Sequence, residues 1–218
     1  MITFTLFRFP VTLQPSFWIV SLLMGWGLAS GDEGHPMRLA LWVAISFLSI
    51  LWHELGHAIA FRKFGIESEI VLYSMGGYAA PLSRGTLTRW QDGLVSVAGP
   101  FFQLLIGLPL WWMSRSGMFW EFTRQRPFAW DVISMLMWIN LIWALVNLLP
   151  VLPLDGGRIF RALCGPRRER IALWTSLLCA AAVSLWMLSA GMSFSGLFFG
   201  MLAWNNWQRL QGSDEIRW

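Results

Sequence analysis

The sequence predicts an α-helical integral membrane protein: a six-span bundle with a small membrane-surface β-sheet or hairpin near the N-terminus and after the second span. Three observations carry this. Hydrophobic residues fill 56% of the 218 positions and charged residues only 13%, against about 25% charged in soluble domains. Mean hydropathy is +0.54. The apolar residues fall into six runs, and the arginines lie between them. Trp, whose ring suits the membrane–water interface, occurs 16 times.

Taken in order, Phe4–Leu13 alternates loosely and is interrupted by Pro10, which reads as strand rather than helix. The N-terminus lacks the basic start and small-residue cleavage site of a signal peptide, so the first apolar run is expected to stay in the mature protein. The six candidate spans are Phe17–Ser30, Leu39–Phe61, Leu94–Met113, Val132–Leu152, Ile171–Ala190 and Ser193–Trp207. The second to fifth reach the roughly 20 residues that cross a bilayer core. The first and sixth are short, and tilt or partial re-entry would accommodate them. Between the second and third spans, Glu67–Ala80 holds two β-prone runs flanking Gly76-Gly77, where a hairpin turn is expected. No loop is long enough for an inserted soluble domain, so residues 1–218 are expected to form one domain.

Charge sets the orientation. Six spans put both termini on one side. With the termini inside, the inner segments hold Arg8, Arg62, Lys63, Arg84, Arg89, Arg158, Arg161, Arg167, Arg168, Arg170, Arg209 and Arg217. The outer loops hold only Arg38, Arg115, Arg124 and Arg126. The positive-inside rule then places both termini in the cytoplasm. The net charge of +4 follows from this topology and gives no reason to expect nucleic acid. Cys164 and Cys179 have no metal-binding spacing and read as free thiols.

The chemistry lies in Leu51-Trp52-His53-Glu54-Leu55-Gly56-His57-Ala58 on the second span. His53 and His57 stand one helical turn apart and share a face. Two imidazoles so placed can reach one zinc ion, and a glutamate beside the first can deprotonate its water. Each ionisable group within a membrane costs roughly 2.5–3.5 kcal/mol on insertion scales, so a helix carrying three needs a compensating use. His53 lies nine residues before Arg62, about 13 Å along a helix, which puts the pair in the cytoplasmic half of the bilayer.

A catalytic zinc usually has three protein ligands. His35, the only other histidine, belongs to an outer loop on the wrong side. Asp155 follows the fourth span in Asn147-Leu148-Leu149-Pro150-Val151-Leu152-Pro153-Leu154-Asp155-Gly156-Gly157-Arg158, at the depth of His53 and His57. Pro150 and Pro153 prevent regular helix there, and Gly156-Gly157 permit a sharp turn. Irregular backbone at membrane depth is tolerated where it lines a cavity.

The HELGH stretch together with the Asn147–Arg158 stretch resembles the site-2 protease family of intramembrane zinc metalloproteases. The entry segment Pro10–Trp18, the Gly-Gly hairpin and Ala98-Gly99-Pro100 resemble it too. The resemblance implies zinc held by His53, His57 and Asp155, with Glu54 as general base and proton shuttle. It implies that Asn147 faces the active-site cavity and steadies the substrate. It also implies that the hairpin, with Gly76 and Gly77, holds substrate as an added strand at the cytoplasmic membrane surface. The substrate would be a single-span membrane protein, cut in or near its transmembrane segment, and the setting a prokaryotic inner membrane. Two positions depart from the family's pattern: Gln103 stands where Asn is common and Gln14 where His is common. The family's PDZ and CBS regulatory domains are not expected within this chain. Two other classes stay open, a metal-binding scaffold without activity and a zinc or proton transporter. Retention of Glu54 argues against the first, and the charge-free fifth and sixth spans against the second.

Overall fold

The computed structural model describes residues 1–28, 35–82 and 85–212. Ser30, Arg84 and Arg217, which enter the expectations above, lie outside the described residues. Among those described, four helices are long and apolar enough to cross a membrane: Pro36–Lys63, Arg89–Arg115, Phe128–Asn147 and Pro166–Ser189. The chain is therefore an integral membrane protein. The first expected span is the shorter apolar stretch Pro15–Leu28. The sixth is a helix at Ser193–Leu210, whose last turns carry Asn205, Asn206, Gln208 and Arg209. The chain divides into two compact units, Met1–Thr86 with Ala98–Ala144, and Leu87–Val97 with Leu145–Trp218.

The first unit begins with β1 (Ile2–Leu6) and β2 (Phe9–Leu13), joined by Phe7 and Arg8, which both have positive φ. Phe9, Val11 and Leu13 are buried and alternate with outward residues, the period of two that a half-buried strand demands. Pro10 lies outside the part of β2 that pairs with the next strand, so its missing N–H does not interrupt that ladder. α1 (Pro15–Gly25) and α2 (Pro36–Lys63) follow, then β3 (Ser68–Tyr73) and β4 (Gly76–Pro81). The sheet order is β1-β2-β3-β4, with β2 and β3 parallel and both outer pairs antiparallel. The hairpin is where the sequence put it, but its turn is not. Tyr73 pairs with Gly76 and Leu72 with Gly77, so Ser74-Met75 make the turn and the two glycines open β4. Gly76 takes φ +113°, a conformation open mainly to glycine.

The β2–β3 pair packs on α2 in one apolar cluster that includes Val11, Leu13, Ile70, Leu72, Ile50, Leu51, Leu55 and Ala58. At the last turn of α2, Arg62 donates to the Phe7 carbonyl at 2.7 Å and lies over the Phe9 ring. The rest of this unit comprises most of α3 (Arg89–Arg115), the short α4 (Trp120–Arg124) and most of α5 (Pro127–Asn147).

The second unit holds the start of α3, the end of α5, α6 (Asp155–Cys164), α7 (Glu169–Ser189) and α8 (Ser193–Leu210). α7 and α8 form an antiparallel pair around Ala180, Phe199, Leu202 and Ala203. Gly196 lies so close to Leu188 that an added Cβ would stand 2.6 Å from its Cγ, and Ser184 Oγ donates to the Gly196 carbonyl at 2.7 Å. Asp92 ties the start of α3 to α6 by accepting from Arg158 at 2.6 Å and Arg161 at 3.4 Å.

The fourth expected span ends earlier than its hydrophobicity does. α5 stops at Asn147, and Leu148–Leu154 run through turns and bends to α6. The prolines break the helix as expected. Gly156-Gly157 do not make a turn, because both belong to the first turn of α6. Their role is close approach. A Cβ on Gly156 would overlap the Leu148 carbonyl, and one on Gly157 would stand 2.5 Å from Leu152 N and 2.6 Å from Val151 O.

Candidate metal centre

In the first unit the HELGH stretch sits in regular helix, and its surroundings are closed. His53, Glu54, Leu55, Gly56, His57 and Ala58 are all buried, the two imidazoles and the carboxylate to 5% exposure or less. Such a turn faces no lipid, which removes the membrane cost that made these residues anomalous. The sheet covers it on one side and α3 on another. The α2–α3 approach depends on small residues at both faces: a Cβ on Gly56 would stand 2.6 Å from the Ala98 carbonyl oxygen. A Cβ on Gly99 would overlap His57 Nε2 and stand 2.7 Å from His53 Nε2. The Ala98-Gly99-Pro100 stretch thus has a physical reason, since it brings bare backbone up to both ring nitrogens.

Those nitrogens converge. His53 Nε2 and His57 Nε2 lie 3.1 Å apart, with the rings nearly perpendicular. Two nitrogens about 2.0–2.1 Å from one tetrahedral zinc stand a little over 3 Å from each other. The donor pair therefore fits a zinc ion. On the far side of His53, Nδ1 lies 2.9 Å from Gln103 Oε1. Gln103 is fully buried. The sequence offered two signals for it: an amide in an apolar run one turn after Gly99, and a place where the resembled family commonly has Asn.

Glu54 points to the hairpin. A Cβ on Gly77 would stand 2.7 Å from Glu54 Cγ and 2.8 Å from Oε1, so β4 passes directly over the carboxylate. Tyr73, in β3, has its phenol pKa raised above the usual value of 10.0, first by burial, then by the Glu54 carboxylate and by Tyr78. It stays a neutral hydroxyl beside the acid. One turn before His53, Ser49 Oγ accepts from the buried Asn140 amide at 3.0 Å.

The remaining expected residues lie outside this helical turn. His35 caps the start of α2, where its N–H donates to the Leu28 carbonyl. It is 18 residues from His53 along one helix, about 27 Å, and is no ligand beside it. Gln14 caps α1, and its N–H donates to the Leu72 carbonyl at 2.9 Å. Cys164 and Cys179 are free. Asp155 and Asn147 belong to the second unit. Asp155 is buried in the first turn of α6, and Asn147 is the half-buried last residue of α5.

The backbone of Leu148–Leu154 is held by side chains the sequence did not single out. Leu152 N–H donates to Ser176 Oγ at 3.1 Å, and Asn206 Nδ2 donates to the Leu152 carbonyl at 2.8 Å. Buried peptide groups outside regular structure need such partners. α7 and α8, read from sequence as spans without charge, supply them.

Comparison with known proteins adds an independent line. Residues 41–123 and 123–189 match the family described as Peptidase family M50. Protein sll0528 of Synechocystis sp. is 34% identical over 168 residues, covering 73% of this chain and 42% of its own. Zinc metalloprotease MJ0392 of Methanocaldococcus jannaschii is 29% identical over 161 residues, covering 73% of this chain and 44% of its own. The chain thus spans less than half the length of these two relatives. Among solved structures, the site-2 protease from Methanocaldococcus jannaschii has the same fold, with a TM-score of 0.63 at 23% identity over 100% of this chain and 97% of that one.

Proposed function

The chain belongs to peptidase family M50, and from that premise we propose that it is an intramembrane zinc metalloprotease that hydrolyses a peptide bond in or near the transmembrane segment of a membrane protein. One observation carries the reading: two buried imidazoles on one helical turn aim their Nε2 atoms at a common point, with a buried carboxylate between them in sequence.

His53, His57 and Asp155 are the protein ligands in this reading. The histidines supply neutral nitrogens. Asp155 supplies a carboxylate oxygen, buried at 7% exposure in the first turn of a helix, where the backbone N–H groups favour negative charge. The ion, when bound, polarises the scissile carbonyl and acidifies the attacking water. Glu54 takes that water's proton at its carboxylate and passes it to the leaving amine nitrogen. Asn147 holds the substrate carbonyl through its side-chain amide. β4 is one of the two edge strands of the sheet and offers an unwound substrate segment a partner at Gly76 and Gly77.

The two units act as one catalytic domain with six spans, both termini cytoplasmic, in a prokaryotic inner membrane. The threefold excess of Lys and Arg on the inner side supports this orientation. The sheet then lies at the cytoplasmic membrane surface, and the substrate is a single-span protein delivered from the bilayer.

The test is co-expression of the chain or its Glu54→Gln variant with a panel of single-span membrane proteins. Wild type is expected to cut at least one. Glu54→Gln should lose 10²–10⁴-fold of the rate while retaining bound zinc, and chelation should abolish cleavage until zinc is restored. Equal cleavage by both forms would sink the proposal. Zinc retention without cleavage across the panel would favour a scaffold, and zinc flux in proteoliposomes a transporter.

A further inference from the structure

We propose that Gln103 is a positioning residue that fixes the tautomer and ring orientation of His53, so that His53 presents Nε2 as a lone pair. The inference rests on the reading of His53 and His57 as metal ligands and goes beyond it, because it assigns a role to a residue on a different helix that touches no ligand atom.

In a neutral imidazole one ring nitrogen carries the proton and the other a lone pair, and a hydrogen bond to one decides the other. His53 turns Nε2 toward His57 Nε2 at 3.1 Å and Nδ1 toward Gln103 Oε1 at 2.9 Å. An amide oxygen only accepts, so His53 Nδ1 carries the proton and donates it. Nε2 then carries the ring's lone pair. A free imidazole has no such compulsion, and each molecule with the proton on Nε2 is unable to bind metal through it.

The placement on α3 explains why this residue does it. Gly99 and Gln103 are one turn apart on one face. Gly99 backs the two Nε2 atoms, while Gln103 stands one turn further along and reaches the opposite edge of the His53 ring. Gln103 is fully buried, so no water competes for His53 Nδ1 at that edge. Its own Nε2 has no hydrogen-bond partner among the described residues. A buried amide that leaves one end unpaired costs stability, and here the cost is borne to keep the oxygen on His53.

The experiment uses the full chain, purified in detergent, as wild type, Gln103→Met and Gln103→Glu. Met keeps the length and removes the acceptor, whereas Glu keeps the acceptor oxygens and removes the amide N–H groups. Zinc affinity is read by competition with a chromophoric chelator, and ligand geometry from the visible spectrum of the cobalt-substituted chain. The tautomer is read by ¹⁵N-histidine NMR of metal-free chain, where only three histidines contribute signals. Gln103→Met is expected to bind zinc 10–100-fold more weakly, to shift the cobalt spectrum and to move His53 toward the Nε2-protonated tautomer. Gln103→Glu is expected to stay near wild type in all three. Wild-type affinity and an unchanged His53 tautomer in Gln103→Met would overturn the role. Equal loss in both variants would also overturn it, since the acceptor oxygen would not be what matters. A wild-type chain that holds no zinc would remove the metal reading itself, so the two failures are distinguishable.

Discussion

His53 and His57 stand on an unbroken turn of α2, while Asp155 follows seven residues, Leu148–Leu154, that form no regular structure. The helical turn satisfies its own backbone, so it needs only small neighbours, Gly56 and Gly99, to let α3 come close. The irregular segment cannot satisfy itself. It takes a donor from Asn206 and an acceptor from Ser176, and it needs Gly156 and Gly157 to lie against its carbonyls. A helix places two side chains by spacing alone. A side chain placed by irregular chain needs support from several distant elements, and that makes the segment before Asp155 the more fragile of the two.

This difference can be tested, beginning with the largest effect. Gly156→Ala puts a methyl onto the Leu148 carbonyl, which is backbone and cannot swing aside. Unfolding in detergent should show a loss of about 3 kcal/mol, at the upper end of overpacking costs. A stable variant would mean that the segment yields as readily as a loop. Gly99→Ala drives a methyl into His57 Nε2 instead. There a side chain can rotate, so the fold should survive while zinc binding weakens at least tenfold, as chelator competition would reveal. Were its melting point to fall as far as that of Gly156→Ala, the two segments would be equally fragile.

Ser176→Ala leaves the Leu152 N–H buried without its acceptor, which costs about 1–3 kcal/mol. Denaturant unfolding should place it below Gly156→Ala, and an unchanged midpoint would show that the segment needs no support from α7. The smallest effect concerns the sheet beside Glu54. Because the Tyr73 phenol is raised by burial and by the Glu54 carboxylate, the folded chain keeps that proton where the unfolded chain, titrating near 10.0, has lost it. The resulting stability is full below pH 10 and is lost as pH rises through the folded value. Tyr73→Phe should therefore flatten the alkaline limb of the stability curve without changing it at neutral pH. Parallel alkaline limbs in the two proteins would remove the coupling.

Much of the site was legible before any coordinates. The four-residue spacing of His53 and His57 needs only a helix to become a shared face, and insertion costs make three ionisable residues in an apolar run improbable without a use. The prolines at 150 and 153 announced a broken helix. The glycines misled twice: Gly76-Gly77 open a strand rather than form its turn, and Gly156-Gly157 begin a helix rather than bend the chain. In both places composition indicated that the backbone needed freedom or room, and only the neighbours reveal which. At Gly77 the neighbour is Glu54, and at Gly156 it is Leu148.

The sequence by itself determined the membrane setting, the His53–Glu54–His57 turn and the break before Asp155, because these follow from composition and from spacing within single segments. Tertiary structure alone decided that Gln103 meets His53, that Gly99 backs both imidazoles, and that Ser176 and Asn206 hold Leu152. A buried polar group finds its partner through space, across separations of 24 to 54 residues in these hydrogen bonds. No periodicity within one helix encodes a partner on another.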